Sequence, residues 1–491
     1  MSPQPVPGLR SRRSFLILAT AVAGGLGMGI LTACGAGTTA TTGSAGSVTG
    51  SASAAVTSSL APTTSTGTVA SAATTTAAAT SAAVAGVGVP TPTPAPPVFG
   101  KGTTKLLFLN GLSGADGETM KGMLTNYAKE NPNVSVDFQT LAWTAVFAKL
   151  DTTLVAGTPP ELVVMHATEI PQYGSRKALQ PVDDWFAKKL LPKEDWSQTI
   201  LDKATWEGKI QGVPLDIHDC NAYVSTNMVK QVGIDPNKLP TGQDLIDALQ
   251  KLSHNQKDAA KATFGVNLWN NPALATIWQF GGDVLSADGK QVVFNSQQVQ
   301  DAMQLWSDLI YKYQIAPDPS IKYTLPEAKD LDRVAIQLGA SWDLNTFKHA
   351  GVGPPEVVAT LLPQFGAKPV TWMNSHELTI PVGISGTKFD EAQKLIVWIS
   401  NHNVDWAQSG QPPARTSAQN SPLLQQDWAW EVRAFGQATA KYGRYEVSPP
   451  GYTQIQPLWG KAIGEVVANK RPVKTILDDY ANQMKGVIAQ Q

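Results

Sequence analysis

The 491-residue sequence contains little cysteine and little charge. Its two cysteines, Cys34 and Cys220, are too few for a disulfide framework in a chain of this length. Charged residues make up 16% of the chain, and none occurs between Gly35 and Gly100. The 38 basic and 39 acidic residues nearly balance, and three of the arginines lie near the N-terminus, so the rest of the chain is mildly acidic. This argues against nucleic acid as a partner, because binding a phosphate backbone needs a basic surface.

Long apolar runs are also rare. The one that stands out, Ile17–Ile30, is short and rich in glycine, which excludes a multi-span membrane protein. It follows Arg12-Arg13 and ends at Leu31-Thr32-Ala33-Cys34, the basic, apolar, small-residue order of an export signal. The arginine pair resembles the twin-arginine signal, and the last four residues resemble a bacterial lipobox. We predict a signal peptide at 1–33 and a lipidated Cys34 at the outer side of the cell membrane; the alternative is an uncleaved anchor.

Residues 34–100 are predicted to form a flexible tether behind the lipidated cysteine. They consist almost wholly of alanine, threonine, serine, glycine and valine, and they end in a proline-rich stretch at 90–97. Such a composition offers too little bulky apolar surface to offset the entropy of the chain. The proline end should be stiffer than the rest.

From Lys101 onward the pattern becomes that of an α/β protein. Short apolar runs at 105–109, 134–138 and 162–165 predict buried strands, and the segments between them carry apolar residues at helical spacing. This β-α-β-α-β order predicts a parallel, doubly wound sheet. Strand patterns at 264–268 and 334–338 and helical patterns around them predict a second α/β unit, followed by helices over 423–488.

The carboxyl ends of the first three strands should meet at one edge of their sheet. Ligands of open α/β sheets bind at that edge. Ser113 follows the first strand, Trp143 the second and His166 the third, which would place a hydroxyl, a flat aromatic face and an imidazole together. Each residue also has an ordinary structural interpretation, because Trp143 begins an apolar helical stripe and a lone histidine is seldom a ligand contact.

Several motifs of residues 101–491 resemble the extracytoplasmic solute-binding proteins of ABC importers, in particular the sugar-binding and oligosaccharide-binding cluster. Gly111–Gly114 is similar to the first ligand loop of that family, and Tyr127–Asn133 to its "F-x-x-x-N-P" helix end. Trp206–Pro214 resembles the turn "dGK-x-x-G-x-P". Two positions depart from the pattern: Glu161 replaces the usual aspartate, and Ala222–Asn227, close to the predicted hinge, lacks the usual Tyr-Tyr-Asn.

The resemblance implies a two-lobed periplasmic-binding-protein-like fold of type II, with doubly wound lobes and C-terminal helices. One lobe would comprise 101–216 with 373–411 and the other 217–372 with 412–491. Crossovers near Asp216, Ser375 and Pro412 would form the hinge. The prolines there restrict the backbone, and a hinge needs only a few residues to absorb the motion of closure.

The implied function is capture of a sugar or oligosaccharide between the lobes for delivery to a membrane permease. Sugars need aromatic faces for stacking and charged or polar groups for hydrogen bonds, and all 14 tryptophans lie within 101–491. The predicted ligand-binding residues are Ser113, Trp143, His166, Asp216, His218, Trp269, Trp278, Gly281, Gly282, Trp342, Ser375, His376 and Arg415. Trp143, Trp278 and Trp342 are the predicted stacking platforms, and Trp269 and Trp372 are secondary candidates for this role. Arg415 has an equal interpretation as an ion-pair partner between the lobes.

The predicted protein is a monomer without cofactor, metal or catalytic residue. A secreted glycosidase is the main alternative, and it would need two paired carboxylates among Asp216, Asp219, Asp283 and Glu377. A metal or redox site at His218 to Cys220 offers too few ligands by itself. A passive adhesin is the third alternative, and it would have no cleft. The sequence does not identify the sugar, and a polyol or glycerol phosphate would suit the same pattern.

Overall fold

The computed structural model of the protein describes residues 95–323 and 332–490. The predicted signal peptide, the predicted lipidation site Cys34 and nearly all of the predicted tether lie outside these residues. Within the described ranges no helix combines the length and the apolar character that crossing a bilayer would require.

Fourteen strands are present in the described residues. They are β1 Val98–Phe99, β2 Thr104–Asn110, β3 Val134–Thr140, β4 Leu162–His166, β5 Thr205–Trp206, β6 Lys209–Ile210, β7 Val213–Pro214, β8 His218–Ser225, β9 Phe264–Val266, β10 Val334–Ala340, β11 Val357–Thr360, β12 Thr371–Asn374, β13 His376–Thr379 and β14 Gly443–Arg444.

Sixteen α-helices are present in the same part of the chain. They are α1 Ala115–Glu130, α2 Trp143–Val155, α3 Ile170–Ser175, α4 Asp183–Ala187, α5 Gln198–Lys203, α6 Thr226–Lys230, α7 Gly242–Gln250, α8 Asn270–Gln279, α9 Gln297–Tyr311, α10 Leu344–Ala350, α11 Gly386–Asn401, α12 Asn403–Trp406, α13 Thr416–Gln419, α14 Trp430–Tyr442, α15 Tyr452–Val467 and α16 Val473–Ile488.

The first sheet has the strand order β1-β3-β2-β4-β13-β7. β2, β3 and β4 run parallel, with α1 and α2 as the connections between them, as the sequence pattern predicts. β13 and β7 complete the sheet in antiparallel pairing, and β1 pairs antiparallel with β3. Val98 and Phe99, which were predicted to belong to the end of the tether, therefore form part of the first sheet.

The second sheet has the strand order β14-β12-β8-β10-β9, and β11 also pairs with β8. Its central strand, β8, is buried along its whole length, so both faces of the sheet are covered. The helices α7, α8, α9, α15 and α16 pack in one large apolar cluster with this sheet. The predicted C-terminal helical region therefore completes the core of the second sheet.

The chain passes between the two sheets at three places that lie side by side. It leaves the first sheet after β7 and enters β8 through Leu215–Ile217, and it returns at Ser375, between β12 and β13. The third passage is at Pro412. Backbone hydrogen bonds join the three: the Leu215 N–H donates to His376 at 2.8 Å, and the Ile217 N–H donates to Pro412 at 2.8 Å. The predicted fold class, two α/β lobes with C-terminal helices, is confirmed.

Candidate functional site

A cavity of about 410 Å³ lies beside the three crossovers, within the size range of small-molecule sites. Elements of both sheets contribute to it. The lining residues are Gly111, Ser113, Gly114, Asp116, Trp143, His166, His218, Asn271, Trp342, Trp372, Asn374, His376, Gln411 and Gln456.

The buried carboxylate of Asp216 organises the polar floor of this cavity. Its Oδ2 accepts hydrogen bonds from Nδ1 of His376 at 2.7 Å and from the Trp406 indole N–H at 2.9 Å. Its Oδ1 lies 3.1 Å from Nδ1 of His218 and accepts the backbone N–H of His376 at 3.0 Å. Both oxygens therefore have partners, and the first crossover is tied to the second.

Burial and charge set the proton affinities of this floor. Burial alone would raise the pKa of Asp216, but the His376 charge and the histidine hydrogen bonds outweigh it and hold that pKa below its usual range. Burial lowers the pKa of His218 to about 3, and the neighbouring His376 charge adds to this. For His376, burial opposes the charged ring, yet the charge of Asp216 prevails and the pKa is raised. The floor thus pairs a carboxylate with one favoured imidazolium and one neutral imidazole.

Aromatic side chains form two walls of the cavity. On the side of the first sheet, the Trp143 ring lies 4.1 Å from the His166 ring and is stacked at 5.4 Å on His376, measured between centroids. On the side of the second sheet, Trp342 and Trp372 stand edgewise to each other with centroids 6.5 Å apart. Such walls present flat apolar surface on both sides of a bound molecule.

Gly111 is required by the position of Trp143. A Cβ atom at residue 111 would lie 2.2 Å from the indole ring, so only glycine lets the ring rest against this loop. The loop leads into α1, and Oδ1 of Asp116 in the first turn of this helix accepts the backbone N–H of Gly114 at 2.8 Å and of Gly117 at 2.6 Å. Burial raises the pKa of the Asp116 carboxyl above its usual value, despite the neighbouring charge of His376.

The two sides of the cleft also contact each other directly, through residues outside the cavity lining. The hydroxyl of Thr453 on α15 donates to the side-chain oxygen of Gln172 on α3. The ammonium group of Lys203 on α5 donates to the backbone carbonyl of Glu446 at 3.1 Å. We refer to these two bonds as the cross-cleft contacts.

The structure places many of the predicted site residues at the cavity. Ser113, Trp143, His166, His218, Trp342 and His376 line it. Asp216 and Ser375 lie directly beneath the lining, both fully buried; the Ser375 hydroxyl donates to Glu377 at 2.7 Å.

Two predicted tryptophans lie outside the lining. Trp278 is only 3% exposed, its indole N–H donates to Asp283 at 3.1 Å, and the Arg444 guanidinium covers its ring at 4.7 Å. Trp269 stands behind Trp342, and its indole N–H donates to the backbone carbonyl of Leu338 at 2.8 Å. Both rings already have partners within the protein, which corrects their prediction as stacking platforms.

The predicted glycine pair and Arg415 also lie away from the cavity. Gly281 has a φ of 82° in the turn after α8, and a Cβ at Gly282 would lie 2.7 Å from a methyl group of Val299. The turn and the helix packing, and not a close approach of ligand, explain these glycines. Arg415 donates to Asp195 at 2.6 Å, with both side chains 12% exposed, which agrees with its interpretation as an ion-pair partner.

Sequence reasoning missed several lining residues. Asn374 and Gln411 directly precede the crossovers at Ser375 and Pro412, so their position beside a predicted hinge could have indicated them. Trp372 was predicted only as a less certain platform. Gln456 lies within α15, and its sequence context carries no signal.

Comparison with known proteins identifies the class. The family model described as "Bacterial extracellular solute-binding protein" matches residues 122–432, and the chain belongs to this family. The relatives include an uncharacterized ABC transporter extracellular-binding protein of Pyrococcus horikoshii, 24% identical over 29% of this chain and 33% of that protein. The lactose-binding protein of Rhizobium radiobacter is 31% identical over 24% of this chain and 28% of its own length. The matches thus span about a third of the curated relatives.

Solved structures share the fold over nearly their whole length. A Thermotoga lettingae solute-binding protein bound with α-D-tagatose has a TM-score of 0.66 at 20% identity, covering 79% of this chain and 100% of that one. A Listeria monocytogenes substrate-binding protein in complex with cycloalternan has 0.68 at 17%, covering 79% and 99%. The maltotriose-binding protein of Thermus thermophilus has 0.64 at 19%, covering 78% and 100%. At these identities the likeness establishes the two-lobed fold.

Proposed function

We propose that this protein is an extracytoplasmic substrate-binding lipoprotein. It captures a sugar or oligosaccharide between its lobes and delivers it to the permease of an ABC transporter. The family supports the binding role, and the curated relatives and solved neighbours named for lactose, tagatose, cycloalternan and maltotriose support a carbohydrate ligand.

The observation that carries the proposal is the composition of the cavity. Trp143 on one side and Trp342 with Trp372 on the other offer apolar faces to a pyranose ring. Asn271, Asn374, Gln411 and Gln456, with the imidazoles, offer donors and acceptors to its hydroxyl rim. Side chains that combine aromatic surface with fixed polar groups are what carbohydrate recognition needs.

The proposed motion is closure about the three crossovers. One lobe would be 101–216 with 375–411, because residues 373 and 374, which were predicted to begin its second segment, pair with β8 of the second sheet. The other would be 217–374 with 412–491. The hydrogen bonds that join the crossovers suit a hinge, since a few residues can then absorb the rotation. A closed, loaded form is what a permease would recognise, and binding would shift the population toward it.

Anchoring to the membrane is part of the same proposal. The lipobox at Leu31–Cys34 and the tether that follows would hold a monomeric body near the permease. Substitution Cys34→Ala should move the protein from the membrane fraction to the soluble fraction. Unchanged fractionation would rule out lipidation at this residue, and Cys220→Ala serves as the matched control.

The described carboxylates favour binding over hydrolysis. Asp216 is saturated by its histidine and tryptophan partners, and Asp283 is held by Arg444 and Trp278. Glu377 is fully buried beneath Ser375, outside the lining. Asp116 is the only carboxylate among the cavity-lining residues of the described chain, whereas glycoside hydrolysis uses a pair.

The test is isothermal titration of the full chain, purified in detergent, with monosaccharides, oligosaccharides, polyols and glycerol phosphates, and with chromatography of each recovered ligand. We expect one carbohydrate to bind at one equivalent and to be recovered intact. Hydrolysed ligand would establish the glycosidase alternative. Binding restricted to glycerol phosphates would overturn the sugar assignment.

A further inference from the structure

Three of the six histidines of the chain meet inside the cavity. His166 ends β4, His376 begins β13, and His218 begins β8. One ring nitrogen of each histidine lies within 4.8 Å of a ring nitrogen of each of the other two. The first two residues belong to the first sheet and the third to the second sheet, so the cluster spans the boundary between the sheets.

Each imidazole is oriented by a buried carboxylate through the same ring nitrogen. Nδ1 of His166 lies 3.1 Å from Oε2 of Glu169, which is 3% exposed. Nδ1 of His218 and Nδ1 of His376 lie 3.1 Å and 2.7 Å from the two oxygens of Asp216. Because carboxylate oxygens accept hydrogen bonds, Nδ1 carries a proton in each ring, which leaves Nε2 to face a ligand. In His376, whose protonated form is favoured, a metal ion must displace the second proton from Nε2.

This carboxylate–imidazole arrangement is the usual second shell of a protein metal site. There the carboxylate fixes the tautomer and the ring orientation and makes the free nitrogen a better donor. Imidazole ligands suit Zn²⁺, Cu²⁺ and Ni²⁺, whereas Mg²⁺ and Ca²⁺ prefer oxygen ligands. Three protein ligands leave a coordination position open to water or substrate.

A further side chain of the cavity lacks a protein partner. Gln411 is 1% exposed and lines the cavity, yet its Oε1 meets no donor at hydrogen-bonding geometry in the described chain. Buried side-chain oxygens are normally satisfied, so this one points to a group that the cavity is built to receive. A metal-bound water is one such donor.

We propose that His166, His218 and His376 bind one divalent transition-metal ion, with Zn²⁺ as the representative, through their Nε2 atoms. The ion leaves a coordination position facing the cavity, where an oxygen of water or of a bound molecule completes the sphere. Because His218 comes from the second sheet and the other two ligands from the first, the ion links the two sheets across the cleft. This site does not depend on the proposed carbohydrate, since the ion needs only the three imidazoles.

The test uses the full chain, produced without an oligohistidine tag. Protein stripped with EDTA is dialysed against Zn²⁺ or Mg²⁺, and retained metal is counted by mass spectrometry. We expect one Zn²⁺ per chain and no retained Mg²⁺. His218→Gln and His376→Gln should each weaken Zn²⁺ binding by more than about 100-fold, and Glu169→Gln by about 10-fold to 100-fold, as changes behind a metal ligand do.

The surface histidines provide matched controls. His254 and His349 are exposed and lie outside the cavity lining, so His254→Gln and His349→Gln should retain Zn²⁺ like the unaltered chain. Retention of less than one Zn²⁺ per chain by the unaltered protein, or equal retention of Zn²⁺ by all four histidine variants, would overturn the proposal.

A spectroscopic readout keeps the test valid if a cluster variant fails to fold. The unaltered chain loaded with Co²⁺ should show the intense visible bands of a four-coordinate ion, and Zn²⁺ should displace them. A weak six-coordinate spectrum would contradict the three-histidine site. Carbohydrate titration of the stripped and of the Zn²⁺-loaded protein separates the two proposals. Failure to bind Zn²⁺ would overturn the metal site alone, and failure to bind any carbohydrate would overturn the proposed function alone.

Discussion

Trp143 and Trp278 belong to the same residue type, lie near the ends of helices and were predicted for the same role, yet they occupy different environments. Trp143 is half-buried and rests against Gly111 on the cavity wall. Trp278 is 3% exposed, with Arg444 over its ring and Asp283 on its indole N–H. The difference shows that a tryptophan serves as a stacking surface only where the protein leaves one of its faces without a partner.

The largest loss of stability should come from Trp278→Ala. Removing a large core side chain costs about 3–5 kcal/mol of unfolding free energy, and here Arg444 also loses its aromatic partner. Denaturant unfolding measures this loss, and carbohydrate affinity of the folded fraction should stay the same. Weaker carbohydrate binding with unchanged stability would show that Trp278 contacts the ligand, and the contrast with Trp143 would then fail.

Trp143→Ala should mainly weaken carbohydrate binding, whereas Trp278→Ala should mainly reduce stability. We expect carbohydrate affinity to fall by about 1–3 kcal/mol, the range of a buried aromatic contact, with a smaller loss of unfolding free energy than in Trp278→Ala. Calorimetric titration measures the affinity, and Trp143→Phe, which keeps an aromatic face, should retain part of it. Equal affinity in all three proteins would show that Trp143 does not contact the ligand.

A pair of glycine substitutions sharpens the comparison without removing either ring. Gly111→Ala introduces a Cβ that would lie 2.2 Å from the Trp143 ring, so the ring must shift and carbohydrate affinity should fall by less than in Trp143→Ala. Gly122→Ala on α1 is the control, because a Cβ there meets no atom within 4 Å and should leave affinity unchanged. Identical affinities for the two variants would mean that the position of the ring is unimportant.

The last prediction concerns Trp372, which lines the cavity while its indole N–H donates to the buried Glu446 at 2.6 Å. Burial raises the pKa of Glu446 to about 8 from 4.5. The folded state therefore holds this proton where the unfolded state has released it, and the contribution of Glu446 to stability is lost as pH rises from 4.5 through 8. Glu446→Gln should reduce this fall, which is at most about 1.4 kcal/mol per pH unit for one proton. Unfolding free energies with the same pH slope in both proteins would contradict the buried, protonated state.

Periodicity and strand-end geometry predicted a large part of the architecture and one side of the site. The apolar runs at 105–109 and 162–165 became β2 and β4, and the residues after them, Ser113 and His166, line the cavity. This prediction was possible because the carboxyl edge of a parallel sheet is a local consequence of the strand order.

The remaining features of the site depend on contacts between residues that are far apart in the sequence. Trp278 lies in α8, a helix buried from Pro272 to Gln279, and its partner Arg444 comes from a distant strand. The histidine cluster forms only when β4, β8 and β13 meet, so the spacing along the chain gives no metal-binding signature. Asp216 was predicted to bind the ligand, whereas its carboxylate is used within the protein to orient two of these histidine rings.

The cross-cleft contacts have a kinetic consequence. They join the two sides of the cleft in the described conformation, so the two sides can move apart only when the Thr453–Gln172 bond and the Lys203–Glu446 bond separate. Their loss would speed escape without altering any group that touches the ligand. Residence time would thus depend on contacts between the two sides of the cleft, and chemical selectivity on the residues that line the cavity.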